Sequence, residues 1–93
     1  MIVMIKSAPD TTDGATGLTL AKEGGADLVL LQNGVYFAQK DRLGSFSGQV
    51  YLLDDDKRLR GLKDTELDAR AKPIDFDKLT DIITGGKKVV GMF

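Results

Sequence analysis

Short runs of consecutive apolar residues recur along this chain, separated by longer stretches broken by polar residues. The most pronounced is Leu28-Val29-Leu30-Leu31, which stops abruptly at Gln32-Asn33-Gly34. Four large aliphatics in a row leave no face for water, which predicts a strand from Asp27 to Leu31 covered on both sides, as in a parallel α/β sheet. Ile2-Val3-Met4-Ile5 and Val50-Tyr51-Leu52-Leu53 read the same way, and Lys87 to Phe93 forms a terminal strand around Val89-Val90-Gly91-Met92. Leu67 to Ala71 is a weaker fourth strand, set near an edge because Asp68 and Arg70 interrupt it.

Helical patterns fill the intervals. A helix is expected from about Thr12 to Glu23, with Ala15, Leu18 and Ala21 recurring every three residues on its inward face. Gly14 and Gly17 weaken it by about 1 kcal/mol each relative to alanine, and let it lie close to the sheet. Gly24-Gly25 ends it, since glycine enters the left-handed region freely. A short helix covers Val35 to Arg42, and Leu43 to Gly48 is a Gly/Ser-containing loop, the segment expected to be most mobile. Asp54-Asp55-Asp56 can cap a helix through Leu62, with Leu59 and Leu62 inward. Asp75 is the expected N-cap of the last helix, with Ile74 and Leu79 as a hydrophobic staple, and Gly85-Gly86 closes it. Strands alternating with helices imply βαβ crossovers and a mostly parallel sheet of four to five strands; the strand order is not legible.

Composition narrows the function more than the fold. The 93 residues make one domain, small enough that folding buries only about 60–65% of the unfolded surface, which favours association. A 42% hydrophobic and 29% charged balance is that of a globular chain, and a net charge of −1 argues against direct nucleic-acid binding. The chain has no cysteine and no histidine. That removes the commonest nucleophile, base and metal ligands, and any disulfide. Gly14-Ala15-Thr16-Gly17 lacks the spacing of a dinucleotide or phosphate loop, so no cofactor is expected. The apolar run of Met1 to Lys6 is too short for a signal segment, and no stretch nears the roughly 18 apolar residues of a membrane span. A cytoplasmic location is the simplest expectation, without membrane contact.

The candidate site residues gather where the first two strands end. Lys6, Ser7, Gln32, Asn33 and Gly34 belong to the carboxyl-end rim, where open α/β sheets place their working groups. Ordinary loop chemistry accounts for them equally well: Asn-Gly forms turns, and Asn33 can cap the next helix. Tyr36 and Phe37 are adjacent and cannot both face the core of one short helix, so one is partly exposed and suits an interface anchor. The acidic run after the third strand evokes a metal site of the receiver type. Such a site needs an acidic pair after the first strand, where Lys6-Ser7 stand, so helix capping is the better reading. Lys57, Arg58, Arg60 and Lys63 can meet phosphate or an acidic partner, or form a solvated face paired with Asp54, Asp55 and Asp56.

Taken together, these segments resemble the DsrH/TusB family of the DsrE/DsrF-like superfamily. The matching residues are Lys6-Ser7 with Pro9, then Leu30-Leu31-Gln32-Asn33-Gly34-Val35-Tyr36, then Val50-Tyr51-Leu52-Leu53. Arg60-Gly61-Leu62 and Ile74-Asp75-Phe76 with Leu79 follow, and Phe93 falls where family members often end in an aromatic. The resemblance spans the whole chain and implies a three-layer, flavodoxin-like α/β domain. It also implies a cytoplasmic subunit that assembles with DsrE/TusD-like and DsrF/TusC-like chains to relay persulfide sulfur, toward tRNA 2-thiouridine or in sulfur oxidation. Some members carry a cysteine in the first helix, at a position falling near Gly17 here. Relay needs a thiolate to attack a persulfide sulfur, and the three methionines offer only thioethers. Asn33 also replaces the acidic residue usual before the glycine. Two roles follow as expectations. One is a non-catalytic subunit that positions cysteine-bearing partners through Lys6, Gln32, Asn33, Tyr36 and Arg60. The other is a stand-alone homo-oligomer that binds a small anionic ligand at the same rim.

Overall fold

The computed structural model describes residues 1–92, the Met92 side chain excepted. The aromatic terminus noted at Phe93 lies outside the described residues. The strands are β1 (Ile2–Ile5), β2 (Asp27–Leu30), β3 (Val50–Leu53), β4 (Ala71–Ile74) and β5 (Val89–Met92). The helices are α1 (Thr12–Gly24), α2 (Asp54–Leu59) and α3 (Phe76–Ile83), with a 3-10 helix at Gln32–Ala38 and a single 3-10 turn at Asp64–Glu66. The five strands form one sheet in the order β4-β3-β2-β1-β5, and every neighbouring pair is parallel.

Strand alternation divides the apolar side chains between two faces. Val3, Ile5, Leu28, Leu30, Val50 and Leu52 pack with Ala21 of α1, Phe37 of the 3-10 helix, and Leu43 and Phe46 of the loop that follows. Ile2, Val29, Leu31, Leu53 and Ile74 pack with Leu79 of α3. The result is a three-layer, flavodoxin-like arrangement. The connections from β1 through β4 advance along the first face, whereas α3 carries the chain back along the second. The chain therefore leaves β3 and β4 toward opposite faces. That is a topological switch point, where open α/β sheets form a crevice.

Several boundaries differ from the sequence pattern, each for a local reason. The inward face of α1 is Gly14, Gly17 and Ala21, not Ala15, which is exposed. A Cβ on Gly14 would meet the Ala8 carbonyl oxygen, so glycine there admits the preceding turn against the helix. The expected helix over Val35 to Arg42 is instead the 3-10 helix starting at Gln32, opened when the Gly34 N–H donates to the Leu31 carbonyl at 2.8 Å. Helix α2 stops at Leu59, since Gly61 turns the chain at φ +68°. Leu62 is thereby buried as expected, but Leu59 is left 81% exposed.

The fourth strand starts at Ala71 rather than Leu67. Asp68 Oδ1 accepts the Arg70 N–H in a tight turn, which uses the backbone a strand would need. Its edge position holds. The Leu43–Gly48 segment is tethered: Leu43 and Phe46 are buried, and the Arg70 guanidinium donates to the Gly44 and Phe46 carbonyls. The capping scheme of the last helix appears as read. Asp75 Oδ1 accepts the Lys78 N–H at 2.8 Å, and Ile74 and Leu79 are both buried in the same cluster.

Candidate functional site: a cleft at the carboxyl end of the sheet

The cleft forms because β1, β2 and β3 end at nearly the same level and are followed by three different backbone solutions. After β2 the chain reverses at Gln32, which sits at φ +49°, a left-handed conformation uncommon for a residue with a side chain. Two contacts hold it there. The Gln32 N–H donates to Asp56 Oδ2 of α2 at 2.7 Å. Gly34, two residues on, is buried against the end of β1, where a Cβ would collide with the Ile5 carbonyl oxygen. Strain of this kind costs about 1–3 kcal/mol and persists only where surrounding structure fixes it. The consequence is that the Gln32 side chain is presented to solvent from a rigid turn.

A short polar network supports that turn. Arg60 Nε donates to Asn33 Oδ1 at 3.0 Å, and its Nη1 donates to the Asp56 carbonyl at 3.3 Å and lies 3.8 Å from the Asp56 carboxylate. The side chains of Arg60 and Asp56 are only 21% and 16% exposed, so this pair is better shielded than a surface ion pair. Asp56 thus ties α2 to the β2 turn. The three aspartates occupy the first turn of α2, but none supplies a side-chain N-cap; the capping position is Leu53. Asp54 pairs with Arg58 at 2.8 Å, and the buried Lys57 reaches Asp64 at 2.7 Å. The hydrogen bond from Lys57 holds the Asp64 carboxyl below the usual carboxylate range. Away from the cleft, hydrogen bonds from Arg70 lower Asp68 to about 2.

Lys6 and Gln32 line one side of an open cleft of about 340 Å³, whose floor and far wall are Leu31, Leu53, Asp56, Phe76 and Leu79. Phe76, the first residue of α3, is 65% exposed at its lip. The structure therefore brings Lys6 and Gln32 into one cleft, with Asn33 and Arg60 joined behind it. Gly34 shapes the turn without lining it. Ser7 is half-buried in the loop after β1, and Tyr36 is half-buried against the α1-side core, so neither lines the cleft. Gly17 is buried on the sheet-facing side of α1. Asp56 and Phe76 were not singled out by the sequence. Asp56 sat within a run that reads as capping, and Phe76 belonged to the staple segment. Only the crossing of α3 to the opposite face makes them neighbours.

Chemically the cleft sets a few polar groups against a largely apolar lining. Its polar groups are an ammonium, a carboxamide and a carboxylate already engaged by Arg60 and the Gln32 N–H, set beside aliphatic and aromatic carbon. No group of acidic side chains suited to a metal ion occurs among the described residues. No helix among them is long and apolar enough to cross a membrane.

Comparison with known proteins agrees with this architecture. The ychN protein of E. coli superposes with a TM-score of 0.72 over 97% of this chain and 97% of its own, at 15% identity. The Tm0979 protein of Thermotoga maritima superposes with a TM-score of 0.68 over 95% of this chain and 97% of its own, at 22% identity. At these identities the likeness is one of fold. No curated protein sequence matches the chain. A family model described as DsrH like protein matches residues 6–89, a span that takes in every element from the end of β1 to the start of β5. The chain belongs to the DsrH-like family.

Proposed function

We propose that this chain is a non-catalytic subunit of a cytoplasmic sulfur-relay assembly, holding a cysteine-bearing DsrE- or DsrF-like partner at the carboxyl-end cleft. The observation that carries the reading is a built site without a thiol. The chain has no cysteine at all. Persulfide transfer requires a thiolate nucleophile, so this polypeptide cannot carry the sulfur. The position expected for a first-helix cysteine, Gly17, is buried on the sheet-facing side of α1. Yet the chain maintains a strained, hydrogen-bonded turn at Gln32 beside an exposed aromatic, an arrangement that costs stability and suits recognition.

A small anion at the same rim is the competing reading. The lining favours the partner: Leu31, Leu53, Leu79 and Phe76 present carbon, and the Asp56 carboxylate opposes negative charge. Affinity purification of the tagged chain from its native host tests the proposal. Recovery of a cysteine-bearing DsrE- or DsrF-like protein, reduced when Phe76 is changed to Asp, is the expected result. Failure to recover such a protein, together with shifts at Lys6 and Gln32 on titration with phosphate or thiosulfate, would replace it with the anion reading.

A further inference from the structure

The two edges of the sheet are unequal. Strand β4 is blunted against pairing: Pro73 has no amide hydrogen, and the exposed Lys72 beside it places charge on the edge. Strand β5 has neither device. Its residues Val89, Val90 and Gly91 are uncharged; the valines are half-buried and the glycine is exposed. The Ile2 N–H donates to the Lys88 carbonyl at 2.7 Å, which fixes the direction of the β5 backbone groups. Successive residues of a strand direct these groups to opposite sides, so Lys88 and Val90 face β1. The N–H and C=O groups of Val89 and Gly91 then point away from the sheet, with no strand beyond them among the described residues.

We infer that β5 is a self-pairing edge, joining two copies of this chain antiparallel into one continuous sheet. A two-fold axis at Val90 sets Val89 of one copy opposite Gly91 of the other. The two residues exchange both N–H···O=C bonds, and symmetry repeats the exchange. The Val90 side chains then meet as a closely spaced non-hydrogen-bonded pair, and Gly91 leaves room for the facing Val89. Charge does not oppose this. Lys87 is turned back onto Asp27 of its own chain at 3.6 Å, and the register keeps Lys88 of one copy away from Lys88 of the other. A second copy is the favoured occupant because, among the described residues, one edge of the sheet is blunted and the other is open to pair. Self-association through it is isologous and closes at two, where a chain with two open edges would polymerise. The carboxyl-end cleft is built from elements around β2, β3 and α3, so a dimer joined at β5 carries two of them.

Light scattering coupled to size-exclusion chromatography, with amide hydrogen exchange on the same samples, tests the inference. The unmodified chain is expected at twice the mass of one chain. Gly91→Pro removes an outward donor without touching the β1 ladder, and should elute as a monomer with unchanged far-UV circular dichroism. Lys72→Ala on the opposite edge should remain dimeric. Should Gly91→Pro fail to fold, exchange on the unmodified chain decides: the Val89 and Gly91 amides are expected to be protected in the dimer and to exchange quickly on dilution. A chain that stays monomeric at millimolar concentration, a dimeric Gly91→Pro, or fast exchange at Val89 and Gly91 within a dimer would each overturn it.

Discussion

Replacing Gly34 by alanine probes the turn on which the cleft depends. The added Cβ would collide with the Ile5 carbonyl oxygen and sit 2.8 Å from its carbon and 3.4 Å from the Lys6 nitrogen. All three neighbours are backbone at the end of a central strand, so no side chain can swing aside. The same Ile5 oxygen accepts the Leu31 N–H at 3.0 Å, the bond that fixes the end of β1 to the start of the turn. Relieving the clash therefore separates these segments and loses or lengthens that hydrogen bond. Overpacking against rigid structure costs about 1–3 kcal/mol, and the hydrogen bond adds about 0.5–1.5 kcal/mol. The lower entropy of the unfolded alanine chain returns about 0.4–1 kcal/mol. The net expectation is a destabilisation of about 2–3 kcal/mol, a shift of about 1–2 M in the urea midpoint at ordinary slopes. Gly61→Ala is the matched control, since nothing lies within 4 Å of its Cβ and only the φ of +68° opposes it. Its loss should be about 1 kcal/mol. If Gly34→Ala unfolds within about 0.5 kcal/mol of the parent, the close approach of the turn to β1 is not as described.

Three further changes bear on the same chain. Gln32→Gly removes the strain at φ +49° and should raise stability by about 0.5–1 kcal/mol, seen as a higher melting temperature, while weakening partner recovery; a lower melting temperature would contradict the strain. Asn33→Asp sets a carboxylate opposite Arg60 and should stabilise by about 0.5 kcal/mol in low salt, with the gain fading as salt is added. Asp68 is lowered from 3.8 to about 2 by Arg70, so the pair stabilises the fold above pH 3.8 and that contribution is lost as pH falls from there toward 2. After screening it amounts to about 1 kcal/mol, and the stability gap between Arg70→Met and the parent should narrow by about that much as the pH is lowered through this window, the remainder being the lost bonds to the Gly44 and Phe46 carbonyls.

The layered fold was legible because the strands announce themselves. Leu28 to Leu31 has no polar face, and β2 is indeed central. Asp75, Ile74 and Leu79 specify their helix start through contacts only a few residues apart. Elements defined by longer-range contacts were less legible. The α2 pattern put Leu59 inward, but the left-handed Gly61 ends the helix early and exposes it. The Gly/Ser composition of residues 43–48 read as loose, although Arg70, more than twenty residues on, holds that loop by its carbonyls. At the site, the rim position of Lys6 and Gln32 followed from strand ends alone. Asp56 and Phe76 did not, since their proximity depends on the chain leaving β3 and β4 toward opposite faces, and strand order is not written in local pattern. Tyr36 was placed with the rim by its sequence neighbours, yet the 3-10 geometry turns it to the other core.

Hydrogen exchange of the chain alone and within the assembly recovered from its host tests the central claim most directly. A cysteine-bearing partner seated on the carboxyl-end cleft should slow exchange at Gln32, Asn33 and Phe76 and leave the exposed amides at the opposite end of the sheet unchanged. Unaltered exchange at those three residues in a complex that has formed would contradict it, because the partner would then be held somewhere else.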